Sequence, residues 1–295
     1  MQIIILIILI LVSALLTQKK LLTENHMRWA NSWIIWLALP SIALLNIPSL
    51  KISAQLLAPI LSPILGFIGS FLFFYVLLRR FLEPKQRLVL AVSGALGNTS
   101  FIGFPVISSL YAQDYMPIAI VIDQINFLLM ASIAYALIVS QNTTFHPWQS
   151  VKKIITFPSF IALVIALFIE PDFYHEGMVM LLEFLSASMS PVAMLIIGFY
   201  FAKYVRLSIP KPVALGILYS LVLAPILTFG LLELLAITEQ SIRTTSVIEA
   251  AMPPMTTIAI LFSSHDIKPR LAAQLLCWGI AGSFITLPIW YFILA

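Results

Sequence analysis

The sequence predicts an all-α integral membrane fold: about ten transmembrane helices, arranged as two inverted five-helix repeats with broken crossover helices 4 and 9 and both termini outside. Three observations lead there. The 295 residues are 61% hydrophobic and only 9% charged, whereas a soluble domain carries roughly 25% charged residues. The basic residues fall almost entirely in alternate loops. Two apolar segments, one in each half, are interrupted by proline at matching positions.

No single soluble core could hold that much apolar surface, so the bilayer is the solvent for most of it. No polar stretch is long enough for a separate soluble domain. The chain is therefore read as one membrane domain, 1–295, with a first repeat over 1–140 and a second over 141–295. The net charge of +4 is explained by loop placement, and no nucleic-acid partner is implied. Cys277 is the sole cysteine, so no disulfide or thiolate metal site can form within the chain. The four histidines, His26, His146, His175 and His265, fall in predicted loops without ligand spacing, so neither metal nor cofactor is expected.

At about 1.5 Å per residue, roughly 20 apolar residues cross the hydrocarbon. That places helices near 2–17, 29–48, 55–79, 86–112, 115–140, 154–170, 177–202, 212–237, 241–264 and 270–294. The first is read as a retained helix rather than a signal peptide. It has no basic residue before its apolar run and carries Lys19-Lys20 directly after it. Only AQDYMP separates the fourth helix from the fifth. Between the fifth and sixth, QNTTFHPWQSVKK is mildly amphipathic, and Trp148 with Lys152-Lys153 reads as an interfacial anchor. The triplet Asn142-Thr143-Thr144 matches a glycosylation acceptor, but its predicted cytoplasmic side makes that irrelevant.

Loops 1, 3, 5, 7 and 9 hold Lys19, Lys20, Arg28, Arg79, Arg80, Lys85, Arg87, Lys152, Lys153, Lys203, Arg206, Lys211, Lys268 and Arg270. Of the 16 basic residues, only Lys51 and Arg243 fall in the even loops. Cytoplasmic loops collect Lys and Arg, so the odd loops face the cytoplasm. Five helices per half then force the halves into opposite orientations, the topology of an inverted repeat. Internal spacing agrees. Pro40 and Pro191 lie 151 residues apart, and Pro105 and Pro253 lie 148 apart. The segment LAPIL occurs at 57–61 and again at 223–227, an offset of 166. That disagrees with the other two and reads as coincidence in an apolar alphabet.

The fourth segment, AVSGALGNTSFIGFPVISSLY, surrounds Asn98-Thr99-Ser100 with Gly94, Gly97 and Gly103 before Pro105. Proline removes a donor and clashes with the preceding turn, while glycine is a poor helix former. Pro105 suits the first turn of a second half-helix. The ninth segment, TTSVIEAAMPPMTTIAILF, breaks at Pro253-Pro254, with Thr256 just beyond. Lipid cannot satisfy the backbone groups such breaks expose, so they are tolerated where they line a cavity. Half-helix N-termini there suit an anion. Pro40, Pro59, Pro63, Pro191 and Pro225 read as ordinary kinks.

All the basic residues lie in loops or at helix ends, leaving none at the midplane to bind an anion. An intramembrane carboxylate costs ~2.5 kcal/mol or more and signals function. Asp123, beside Gln124 and one turn from Asn126, is either a proton carrier, a sodium ligand or a structural acceptor for the broken fourth helix. Glu249, just before the second break, is similar. Glu183 and Glu233 read as interfacial.

These segments resemble the auxin efflux carrier family along nearly the whole chain. The likeness is carried by KKLLTENHMRWANSWIIWLALPSIAL, GNTSFIGFPVI, Asp123-Gln124, Pro191 with Gly198, and EAAMPPMTTIAIL followed by SFITLP. The resemblance implies a scaffold of helices 1, 2, 6 and 7 and a mobile domain made of the others. Helices 4 and 9 would cross at the substrate site. By this likeness Asn98 and Pro105 are the crossover polar group and proline, and Pro253 or Pro254 is the second crossover proline. The family further implies transport of organic anions, auxin-like indole acids or small carboxylates, commonly by a homodimer. The doubled proline departs from its pattern. The short loop after helix 5 fits the compact bacterial type and a bacterial plasma (inner) membrane.

The expectation is a secondary transporter of small organic anions working by alternating access, with proton or sodium coupling left open. Asn98, Thr99, Ser100, Pro105, Gln124, Pro253, Pro254 and Thr256 are the expected substrate contacts. Asp123 and Glu249 are expected to couple or to brace the crossover. A sodium-coupled bile-acid-type symporter is the rival within the class, and a non-transporting membrane sensor the rival outside it. No nucleophile–base pair or metal-protease motif favours an enzyme.

Overall fold

The computed structural model of the protein describes residues 2–50, 52–141, 146–170, 173–204 and 209–294. Lys51, Arg206 and the triplet Asn142-Thr143-Thr144 lie outside them. Among the described residues the secondary structure is entirely helical, apart from one isolated bridge between Gly97 and Pro254. Six helices among the described residues are long and apolar enough to cross a membrane: Glu24–Ser49, Ala54–Leu77, Gln113–Val139, Glu176–Tyr204, Lys211–Leu234 and Pro269–Leu294. Their outer faces carry exposed apolar side chains such as Trp36, Leu72, Leu234 and Phe292, a surface suited to lipid rather than water.

The remaining apolar segments are short or interrupted. Gln2–Gln18 is a single helix of 17 residues. Pro84–Ala95 is followed by Phe104–Leu110, and Gln240–Ala250 by Thr256–Ser264, each across a break. Helix Pro147–Ile155 meets Pro158–Ala166 at 56°, in the region where the sequence predicts the sixth helix over 154–170. The bend falls just before Pro158, whose ring disfavours helix in the residue ahead of it, and Phe157 is extended there. The second helix starts at Glu24, five residues earlier than composition suggested. Thr23 caps it, accepting from the His26 N–H while the His26 ring accepts from the Thr23 N–H. His26 is therefore a helix-capping residue rather than a loop residue.

Several prolines sit behind a widened turn. Pro40, Pro105 and Pro225 follow π-helical turns at Ile34–Ala38, Thr99–Gly103 and Tyr219–Leu223. Proline leaves the carbonyl four residues back without its donor and presses against it. A wider turn relieves the clash without ending the helix. Pro63 instead lies inside Leu57–Phe71.

The chain forms two compact units, each drawing on both halves of the sequence. The first comprises Met1–Ile52, Ser100–Ile120 and Lys153–Lys203. Within it Leu39–Asn46 packs on Pro158–Ala166 and Glu176–Ala187. The Ser13 hydroxyl donates to the Leu195 carbonyl at 2.5 Å, and a Cβ on Gly198 would strike the Ile10 carbonyl. Trp33 Nε1 donates to Ser188 at 2.8 Å, and Lys203 pairs with Glu24.

The second unit comprises Ser53–Thr99, Val121–Lys152 and Tyr204–Ala295. At its centre lie the half-helices Pro84–Ala95 and Gln240–Ala250. Every residue from Leu88 to Ala95 and from Thr244 to Glu249 is buried. Leu57–Phe71 packs against both of them and against Ala224–Leu234. Ser70 donates to the Ala91 carbonyl at 2.8 Å, and buried Tyr219 donates to the Gly66 carbonyl at 2.7 Å. These bonds fix the wall around the two breaks.

Candidate functional site

The two broken helices meet in the second unit and satisfy each other's backbone. Asn98 donates its N–H to the Pro253 carbonyl at 2.7 Å, and Met255 donates to the Leu96 carbonyl at 2.9 Å. Between these bonds Gly97 and Pro254 pair as an antiparallel bridge. Buried backbone groups must find partners, and here each break supplies what the other lacks. Pro253 and Pro254 have no N–H to leave orphaned, and Met255 is the first residue after them able to donate. The doubled proline thus divides its work: Pro253 gives the carbonyl and Pro254 the bridge.

Close approach demands small residues on both sides. A Cβ on Gly97 would lie 3.2 Å from Met252 Cβ and 3.3 Å from the Glu249 carbonyl. Behind the crossing, a Cβ on Gly279 would lie 2.5 Å from Pro254 Cδ. The closing helix therefore supports the break from its far side.

Side chains tie the crossing further. The Asn98 amide, 1% exposed, donates to Thr256 Oγ1 at 3.0 Å. The Thr99 hydroxyl donates to Asp123 Oδ1 at 2.5 Å, and the Gln124 amide makes a longer contact of 3.4 Å to Asp123 Oδ2. All five of these side chains are buried. The structure thus gathers Asn98, Thr99, Asp123, Gln124, Pro253, Pro254, Thr256 and Glu249 in the second unit. Ser100, half-buried, and Pro105, buried, fall in the first. Pro105 is the second residue of the half-helix Phe104–Leu110.

Helix ends set the local field. Thr256–Ser264 begins at Met255 with no side-chain cap, so its first N–H groups give a partial positive charge. Pro84–Ala95 and Gln240–Ala250 end with their carbonyls toward the break, a partial negative charge. Positive and negative ends therefore lie a few residues apart along the same broken segment.

Two of the cavities among the described residues bear on these elements. One, of about 20 Å³, lies in the second unit and is lined by Ser62, Gly66, Ala95, Asn126, Thr228 and Glu249 among others. Sequence reasoning singled out Glu249 but not Ser62 or Thr228. The available signal was the repeated LAPIL: Ser62 follows one copy and Thr228 the other. Ala58, Pro59 and Ser62 are buried in the first copy, and Ala224, Pro225 and Thr228 in the second. Ser62 after the first copy and Ala224 and Thr228 at the second line the cavity.

The other cavity, of about 400 Å³, lies in the first unit and is lined by Asn46, Phe104, Ser108, Tyr111, Glu183 and Ser190 among others. That volume is in the range of small-molecule pockets, roughly 300–1,000 Å³. Among the described residues, no group of three or more His, Cys, Asp or Glu side chains converges to hold a metal.

Comparison with known proteins gives the family. A model of the membrane transport protein family matches residues 1–291. A protein of Methanothermobacter thermautotrophicus described as an uncharacterized transporter is 24% identical over 292 residues, covering 97% of this chain and 95% of its own. Another uncharacterized transporter, from Methanocaldococcus jannaschii, is 21% identical over 309 residues, covering 99% of this chain and 97% of its own. Both relatives are archaeal.

Proposed function

Because the chain belongs to the membrane transport protein family, the auxin efflux carrier family, we propose that it is a secondary transporter moving small organic anions across a plasma membrane by alternating access. The observation that carries this reading is the crossing of two broken helices in the second unit. Such a crossing is stable only if each break answers the other's backbone, and it leaves an uncapped helix N-terminus at Thr256. An anionic carboxylate fits that N-terminus without any cationic side chain.

In this reading Asn98 and Thr256 exchange their mutual hydrogen bond for bonds to the substrate. Gln124 and Thr99 hold Asp123, and Asp123 in turn fixes the first break. The ten-crossing, two-repeat topology is part of the proposal. The six continuous spans, the first helix and the three interrupted segments supply the crossings it needs. The first unit contains the segments of helices 1, 2, 6 and 7, together with 100–120, which suits a scaffold. In the expected orientation Asn46, Tyr111 and Glu183 lie near outer helix ends, so the larger cavity serves as an outer vestibule.

Purified protein in liposomes tests the reading. Monocarboxylates, dicarboxylates and indole acids are screened for counterflow, with and without pH or sodium gradients. At least one carboxylate is expected to exchange. Absence of flux for the whole panel, with ligand binding retained, would favour a sensor instead.

A further inference from the structure

Glu249 is buried to 1% exposure, and neither of its carboxyl oxygens has a hydrogen-bond partner among the described residues. The Thr228 hydroxyl, also 1% exposed, is likewise unpartnered. Both groups line the same cavity of about 20 Å³. An ionised carboxylate left uncompensated inside protein is strongly destabilising, so the arrangement calls for a counter-charge.

The other walls point the same way. Ser62 donates only a long 3.5 Å bond to the Pro59 carbonyl, so the lone pairs of its hydroxyl oxygen stay open. Asn126 lines the cavity from Met116–Leu129. Ala95 and Ala250 bring the C-terminal ends of two helices, the ends that carry partial negative charge. The Asp123 carboxyl is near enough to act electrostatically on Glu249, yet it is already engaged by Thr99 and Gln124. Among the described residues, no Lys, Arg or His lines the cavity. The carboxylate and the helix ends favour a cation, and the hydroxyl and amide oxygens can accept one.

The chemistry narrows the cation. One unpartnered carboxylate balances one positive charge. Oxygen donors select a hard ion, and the volume admits one water-sized guest. We propose that this cavity is a sodium site, with the Glu249 carboxylate supplying the charge and oxygens of Thr228, Asn126 and Ser62 completing the shell. The proposal deepens the transporter reading, giving it a coupling ion. The negative helix ends then hold the cation, and the positive end at Thr256 holds the anion.

Thermal unfolding of the full-length purified protein in detergent tests this without any substrate, so a failed anion screen leaves the result intact. Ionic strength is held constant with choline chloride while NaCl or KCl replaces it. Sodium is expected to raise Tm saturably, by on the order of 5 °C, and potassium to leave it unchanged. Glu249→Gln and Thr228→Val should each abolish the sodium response while keeping a cooperative transition in choline. If Glu249→Gln does not fold, Thr228→Val carries the test alone. No sodium response, an equal response to potassium, or a sodium response retained in a folded variant would each overturn the site. So would stabilisation by acid alone that is lost in Glu249→Gln, which would place a proton on the carboxyl instead.

Discussion

Asp123 and Glu249 are both buried carboxyl groups beside the crossing, and their surroundings separate their roles. Asp123 accepts from Thr99 and Gln124, contacts that tie it to the first break. The sequence left proton, sodium and structural roles open for it, because the Thr99 contact joins residues 24 apart on different helices. Asp123→Asn retains an acceptor for the Thr99 hydroxyl and should keep both flux and Tm close to wild type. Asp123→Leu strands that hydroxyl and should cost about 1–3 kcal/mol, read as a lower Tm. Equal behaviour of the two variants would remove the bracing role. Glu249 differs because its oxygens have no partner among the described residues, a property that no pattern of neighbouring letters carries.

At the scale of elements, the breaks were legible because proline and glycine act locally. Their mutual satisfaction was not, because it depends on Leu96 and Asn98 meeting Pro253 and Met255 from the other half of the chain. The same applies to the support behind them. Gly279 looked like one more small residue in an apolar helix, yet its missing Cβ makes room for the ring of Pro254. Gly279→Ala should therefore lower stability by about 1–3 kcal/mol through overpacking, seen as a reduced melting temperature. Gly230→Ala is the control, since nothing lies within 4 Å of its added Cβ. That variant should be neutral or gain up to about 1 kcal/mol from helix propensity. Equal losses at the two positions would show that the crossing is not packed as described.

For the whole molecule, composition made the membrane plain, and the family match agrees. Orientation still rests on the loop charges, which a labelling experiment reads directly. Cys277, the only cysteine, is buried, so a Cys277→Ala background accepts single reporters. Thr238→Cys should react with an impermeant maleimide added to intact cells, and Lys85→Cys only after lysis. The reverse pattern would invert the topology. The division into two interleaved units was less visible in the sequence, since helices from both halves build each one. The central claim is that the crossing binds the substrate, and Asn98 is its most exacting test. Its side chain is buried and bonded to Thr256, so it both braces the site and faces the opposite break. The measurement is counterflow of the best carboxylate in liposomes, comparing wild type with purified, monodisperse Asn98→Ala. Exchange is expected to be abolished in the variant while its unfolding transition remains cooperative. Exchange at the wild-type rate would contradict the claim.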